Sequence, residues 1–491
     1  MGFKADTSFL RFLTMGALGV RRTMDQLRTH GFEPIELERY CGSNKIWATK
    51  VKRLRLADVL CVRTGLRVEV RAKSDLKIRM SDAPDNPERT WDAGLRDDDV
   101  VAFIACVDSD DGPVPDGDAV FFNIRSLRAS VGSSTLGPPK SASEGAERDR
   151  TWPAIVPSRA GSVLTVTADK LVVLMDANAV QSARRQTYTL RGKRPYVSVN
   201  DRFNADISII AGAPDSLADL APYRARTYDP ISATRDGNPV DRYAAVKALG
   251  HRADLGAARI TALEQLLRGE AEERVMLEAA GVAGALGSPM GQEIIERFIW
   301  RNEARKDLRM EAVLILTEHG DTEFSRNQLT RIASAAEFEG DELRQAAVWG
   351  LGKNGLRRYA DLLAFIADRE ESVALHAVAA FAPDAPAHVI DSLIREMLSA
   401  DPRRAPAASE ILRIIGSKSA LDALIAAHRA APADWLLATI ARFPIQQVRS
   451  ALAGDPLLIT LSPFLLTAQG ANWLANDTTQ TDIRFLLKQN L

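Results

Sequence analysis

Apolar positions in this chain follow two periods, and the change between them divides the sequence. Up to about residue 213 the apolar runs are short, β-branched and close to alternating, which predicts strands. From about Asp241 apolar residues recur at three- and four-residue spacing, which predicts helices. One helix precedes the strands: Phe9, Phe12, Leu13, Met24 and Leu27 lie near helical spacing over 8–30, and Gly31 follows as a stop signal. Strands are predicted at 35–38, 100–106 and 119–124. Two apolar runs around Thr64-Gly65 predict a hairpin that carries Glu69, Arg71 and Lys73 on one face.

The boundaries follow from these patterns. Residues 1–128 read as an α/β domain with a mixed sheet under helical cover. Residues 129–151 are rich in Ser, Gly and Pro and read as a flexible linker. Residues 152–213 read as a small all-β domain, a barrel or sandwich, with strands at 162–167, 171–175, 186–190, 196–199 and 206–211. A connector, 214–240, leads to helical repeats over 241–443, and 444–491 reads as capping helices. The expected fold class is multidomain: α/β, then small all-β, then all-α.

The repeats are legible in Arg242-Tyr-Ala-Ala-Val-Lys-Ala-Leu-Gly250 and Leu343-Arg-Gln-Ala-Ala-Val-Trp-Gly-Leu-Gly352. Helix-ending glycines at 250, 287, 320 and 352 stand 37, 33 and 32 residues apart by subtraction, a helix-pair period. The pattern resembles HEAT repeats, a resemblance that implies an α-solenoid offering a surface to DNA or to a protein partner.

Composition narrows the class. The 491 residues are 46% hydrophobic and 26% charged, as expected of a soluble globular protein. No run of eighteen apolar residues occurs, so no membrane partner is expected. The apolar stretch at 9–20 contains Arg11 and reads as a buried helix, not a signal peptide. Cys41, Cys61 and Cys106 are odd in number and form no CxxC, which points to a reducing cytoplasm.

A net charge of −1 conceals local asymmetry. Twelve cations lie between Arg39 and Arg79, opposed by Asp58, Glu69 and Asp75, and this predicts a basic, polyanion-binding surface. Residues 82–118 are strongly acidic and read as an exposed loop system. Trp47 and Trp91 flank the basic hairpin and read as packing residues.

The candidate chemistry sits on the hairpin. Asp58 and Glu69 are carboxylates that can ligate Mg²⁺. Lys73 can assist catalysis beside them, and Arg71 can contact phosphate. Arg53, Arg55, Arg67 and Lys77 are expected to track a nucleic-acid backbone. No histidine occurs between His30 and His251, and no phosphate-loop or dinucleotide glycine motif is present. Histidine-dependent hydrolysis from within this domain and nucleotide-driven motor function are therefore not indicated.

Asp58 before the hairpin, and Glu69 ahead of a cation on the next strand, resemble the PD-(D/E)xK nuclease superfamily over about residues 8–125. The resemblance implies a Mg²⁺-dependent endonuclease with Asp58 and Glu69 as metal ligands and Lys73 as the catalytic lysine. It implies DNA ahead of RNA as partner, leaves pairing of two copies open, and by analogy suggests restriction or anti-phage defence. Three departures stand out. Arg71 occupies the family's lysine position, Ala57 replaces the proline, and the leading helix offers only Asp25 as an internal acid, with Glu36 and Glu38 as substitutes. The alternatives are a non-enzymatic scaffold carrying an inactive nuclease-like domain and, more remotely, a HEAT-like DNA glycosylase.

Overall fold

Alternating β-branched residues around Gly65 fold as expected, because Gly65 takes the left-handed backbone (φ 70°) that reverses the chain. The strands that follow from this pattern are β1 (Pro34–Glu36), β2 (Val59–Cys61), β3 (Arg67–Lys73), β4 (Arg79–Asp82), β5 (Val100–Ser109) and β6 (Gly112–Asn123). They belong to a computed structural model that describes residues 7–37, 47–51, 54–109, 112–140, 147–301, 305–338, 340–353, 358–399, 401–469 and 483–484, without the side chains of 7–10. Glu38, Arg39, Cys41, Arg53 and the segment 141–146 lie outside the described residues. The chain divides into two compact units. One comprises Asp6–Gly42 and Lys52–Gly291, the other Met1–Ala5, Ser43–Val51 and Gln292–Leu491.

In the first unit the main sheet has the order β1-β2-β3-β5-β6. Only β3 and β5 run parallel; the other neighbours are antiparallel. Helix α1 (Thr7–Thr29) packs across one face, where Val20 and Leu27 join Val68, Val70, Val100, Ala102 and Ile104. Gly19 permits the close approach: a Cβ there would stand 2.5 Å from that of Ala72. The opposite face buries Val101, Phe103, Ala105 and Phe122 against Ile78, Met80, Trp91 and Trp152. Both faces are thus covered, and burial along β3 does not alternate.

A second sheet supplies part of that cover and corrects the linker expectation. Strands β7 (Thr135–Pro139) and β8 (Arg148–Thr151) form within 129–151 and join β4 in the order β4-β8-β7. Trp152 anchors them. It is buried, donates its backbone N–H to Ile78 O (2.9 Å), and meets Trp91 edge-to-face at 5.0 Å. Prolines confine β7 to a sheet edge, which is why its turn-like composition disguised it.

The acidic stretch is a loop only over 83–99, between β4 and β5; Asp108, Asp116 and Asp118 stand on β5 and β6. Asp82 and Asp99 are buried, and Asp92 and Asp97 grip Arg128 (2.8 and 2.5 Å). Asp98, Asp108 and Asp118 pair with Arg226, Arg11 and Arg22. These carboxylates tie strand ends to distant elements.

Next come β9 (Ala154–Ile155), β10 (Gly161–Val166), β11 (Lys170–Met175), β12 (Arg184–Thr189), β13 (Arg194–Pro195), β14 (Arg202–Phe203) and β15 (Ala211–Gly212). They make two open sheets, β12-β11-β10-β14 and β13-β15-β9; among the described residues no barrel closes. The strands expected at 196–199 and 206–211 are absent but for Ala211. Asn200 and Asp206 adopt positive φ (76° and 60°), which breaks extension on either side of β14.

The helical change arrives where the pattern placed it, but the first helices belong with the sheets. Ala244 and Ala248 of helix Pro239–His251 are buried against Leu37, Leu60 and Val62. The unit boundary consequently falls after Gly291 instead of near residue 240. In the second unit every other helix stacks on the next. One row runs Lys306–Glu318, Glu342–Gly352, Glu371–Ala379, Arg404–Ile415 and Asp434–Ala441. A second runs Tyr359–Leu363, Ala387–Met397, Lys418–Ala430 and Ile445–Ala451. Asp341, Thr322 and Ser417 cap three of the unit's helices through their side chains.

Trp47, in the same unit, is fully buried, stacked on His376 (5.6 Å) and edge-on to Trp349 (6.4 Å). Glu342 accepts the backbone N–H groups of Ala48 and Thr49 at 2.7 and 2.8 Å. Among the described residues no helix is long and apolar enough to cross a membrane.

Candidate functional site

The hairpin sets the register of the candidate residues. Val59 pairs with Val68 and Leu60 with Arg67, so β2 stops where Asp58 begins. Beyond that last pair the N–H of Val70 would lack a partner in β2. Asp58 Oδ2 supplies one, accepting from Val70 N at 2.7 Å. The Asp58 backbone oxygen accepts from Leu37 N at 2.8 Å. Asp58 is therefore anchored to β3 by its side chain and to the end of β1 by its main chain.

Strand alternation and the parallel register place Arg67, Glu69, Arg71 and Lys73 on one face of β3, with Glu69, Arg71 and Lys73 opposite Val101, Phe103 and Ala105. Burial relaxes along that face. Arg67 is 1% exposed and Glu69 7%, whereas Arg71 and Lys73 are partly open. Glu69 Oε1 forms an ion pair with Arg71. Burial pushes the Arg71 guanidinium down, but Glu69 and then Asp58 outweigh it and hold it above its ordinary value. Both carboxylates thus act on one guanidinium.

Lys73 has the opposite surroundings. Burial lowers its amine, and Lys140 and Arg71 lower it further, while Asp149 opposes them. Among the described residues it makes no hydrogen bond or direct ion pair.

The structure does not bring every predicted residue to this face. Arg67 is a correction. Its guanidinium is buried on Asp99 (2.5 Å) and Asp241 (2.9 Å) and also donates to Gly94 O (3.3 Å), so it cannot track a backbone from this position. Arg55 is exposed just before Asp58, and Lys77 is exposed and paired with Asp75. Arg53 lies outside the described residues. Asp25 is exposed on α1 and pairs with Arg28 at 2.6 Å, so the leading helix adds no carboxylate here.

Sequence reasoning missed Arg79, Lys140 and Asp149, all on the β4-β8-β7 sheet or its edge. Arg79 pairs with Asp75 (2.8 Å) and Asp149 (3.6 Å); Lys140 pairs with Asp149 (2.9 Å) and donates to Ser81 Oγ (2.8 Å). Arg79 ended the basic run and was visible there. Lys140 lay in the stretch read as linker, and nothing in the sequence signalled it.

Among the described residues no three or more His, Cys, Asp or Glu gather as a metal cluster. Mg²⁺ keeps most of its waters and is commonly held by one or two carboxylates plus substrate phosphate, and Asp58 and Glu69 are carboxylates. The chain matches no protein-family model, and no curated protein matches it significantly.

Proposed function

We propose that this chain is a Mg²⁺-dependent phosphodiesterase acting on nucleic acid, DNA ahead of RNA, built on a PD-(D/E)xK-like domain. The observation that carries this reading is that Asp58 and Glu69 both act on Arg71, with Lys73 one same-face step further on and, among the described residues, making no ion pair. Asp58 and Glu69 would hold the metal. When bound, Mg²⁺ supplies charge compensation for a phosphoryl oxygen and makes its bound water more acidic.

Arg71 is positioned to contact the phosphate once its carboxylates are shared. Lys73, whose amine burial and then Lys140 and Arg71 hold below its ordinary value, would assist the attacking water. The alternating helix rows support reading the C-terminal unit as a HEAT-like α-solenoid that presents a surface to DNA or to a protein partner.

The test is cleavage of supercoiled plasmid and of single-stranded DNA and RNA with and without Mg²⁺. Wild type should cut only with the metal, and Asp58→Ala or Glu69→Ala should each reduce the rate at least about 100-fold. A folded wild-type protein that cuts none of these substrates would overturn the reading. One observation favours the rival, a scaffold with an inactive nuclease-like domain: Arg71 already ion-pairs with Glu69 Oε1 within the chain. The scaffold predicts no cleavage, with partner binding unchanged in both variants.

A further inference from the structure

Lys140 and Arg79 belong to the second small sheet, yet they converge on the side of β3 that carries Lys73. Both ion-pair with one carboxylate, Asp149, at 2.9 and 3.6 Å. Lys140 is further located by Ser81 Oγ at 2.8 Å and Arg79 by both oxygens of Asp75 at 2.8 and 3.1 Å. Two cations arranged on one small oxyanion, each fixed by a second acceptor, are preorganised for a tetrahedral oxyanion in the same place. Asp149 and Lys140 are each about one-third exposed, although the Asp149 Oδ1 that Lys140 pairs with is buried. Lys73 feels Lys140, Arg71 and Arg79 together, and among the described residues it makes no direct ion pair.

We propose that Lys140 and Arg79 complete the candidate site as phosphate contacts, holding a nucleic-acid strand between β3 and the β4-β8-β7 sheet with Asp149 as the internal stand-in for phosphate. This rests on the nucleic-acid reading given above. Charge supports it. With Asp58 and Glu69 engaged by a divalent cation, Arg71, Lys73, Lys77, Arg79 and Lys140 remain, opposed by Asp75, Asp149 and Glu147. The excess is the sign a phosphodiester requires.

The experiment is equilibrium binding of a fluorescent short DNA duplex to the full chain, by anisotropy over a series of salt concentrations, with Ca²⁺ replacing Mg²⁺. Lys140→Ala should weaken binding about tenfold and reduce the salt slope by about one, the value of one lost phosphate contact. Lys140→Arg should restore most of both. Asp149→Asn, which removes the competing carboxylate, should tighten binding. Unchanged affinity and slope in both Lys140→Ala and Lys140→Glu would overturn the proposal, as would a wild type that binds no duplex.

Cleavage by the same preparations separates the two claims. Lys140-dependent binding without any cleavage leaves the contact standing and removes the nuclease reading. Metal-dependent cleavage with Lys140-independent binding does the reverse.

Discussion

Arg67 and Lys73 stand at opposite ends of β3 on the same face, and the fold treats them in opposite ways. Around Arg67 the chain gathers Asp99 from the loop before β5 and Asp241 from the helix Pro239–His251, with the Gly94 carbonyl as a further acceptor. The charge is buried because it is matched. Around Lys73 the second sheet gathers Lys140 and Arg79, and Asp149 opposes them. That amine is partly buried without a match. A charged residue on a sheet face is thus structural where the fold brings its counter-ions. It becomes a candidate for chemistry where the fold brings like charges instead.

The largest effect that would sharpen this contrast is at Arg67. Arg67→Ala takes from buried Asp99 its buried cation, leaving the more exposed Arg96, and should destabilise the first unit by about 3–5 kcal/mol, read by chemical denaturation. A loss below about 1 kcal/mol would place Arg67 among ordinary surface cations.

The second unit offers an intermediate case, a buried titratable group packed among aromatic rings. His376 is 1% exposed between Trp47 and Trp349, and burial holds its imidazole down to about 4 from 6.5. The unfolded chain therefore binds the proton first as pH falls. The stability tied to neutral His376 is complete above pH 6.5 and is lost by about pH 4, amounting to about 3 kcal/mol. Denaturation of wild type and His376→Phe across this window should show a pH-dependent difference of that order. Parallel pH profiles would remove the assignment.

The smallest effect on stability is at Lys73. Because its amine is displaced downward, the charged form costs stability at pH below its folded value, and the cost disappears as pH rises toward the ordinary 10.5. Lys73→Met should leave stability within about 1 kcal/mol of wild type or raise it at neutral pH, with the gain fading in alkali. A large destabilisation would mean that Lys73 is matched as Arg67 is.

Much of this contrast is invisible in the sequence, for a physical reason. Local signals were readable: Gly65 for the hairpin, Gly31 after α1, the apolar runs of β5 and β6, and the alanine-rich repeats. The face shared by Glu69, Arg71 and Lys73 followed from strand alternation alone. What distinguishes Arg67 from Lys73 is supplied by residues far along the chain. Asp99 and Asp241 neutralise one, and Lys140 crowds the other. The same limit hid β7 and β8, whose strand character comes from pairing with β4 and from Trp152 under the sheet. It also hid the unit boundary, since Ala244 and Ala248 look like any repeat alanines until Leu37, Leu60 and Val62 are seen against them.

The central claim is that the Lys73 end of β3 is a working site and not a structural one. The measurement that tests it most directly is Mg²⁺-dependent plasmid cleavage by Lys73→Met, on protein whose denaturation midpoint matches wild type. The account predicts a fully folded variant with cleavage reduced at least about 100-fold. A folded variant that cuts as fast as wild type would contradict it.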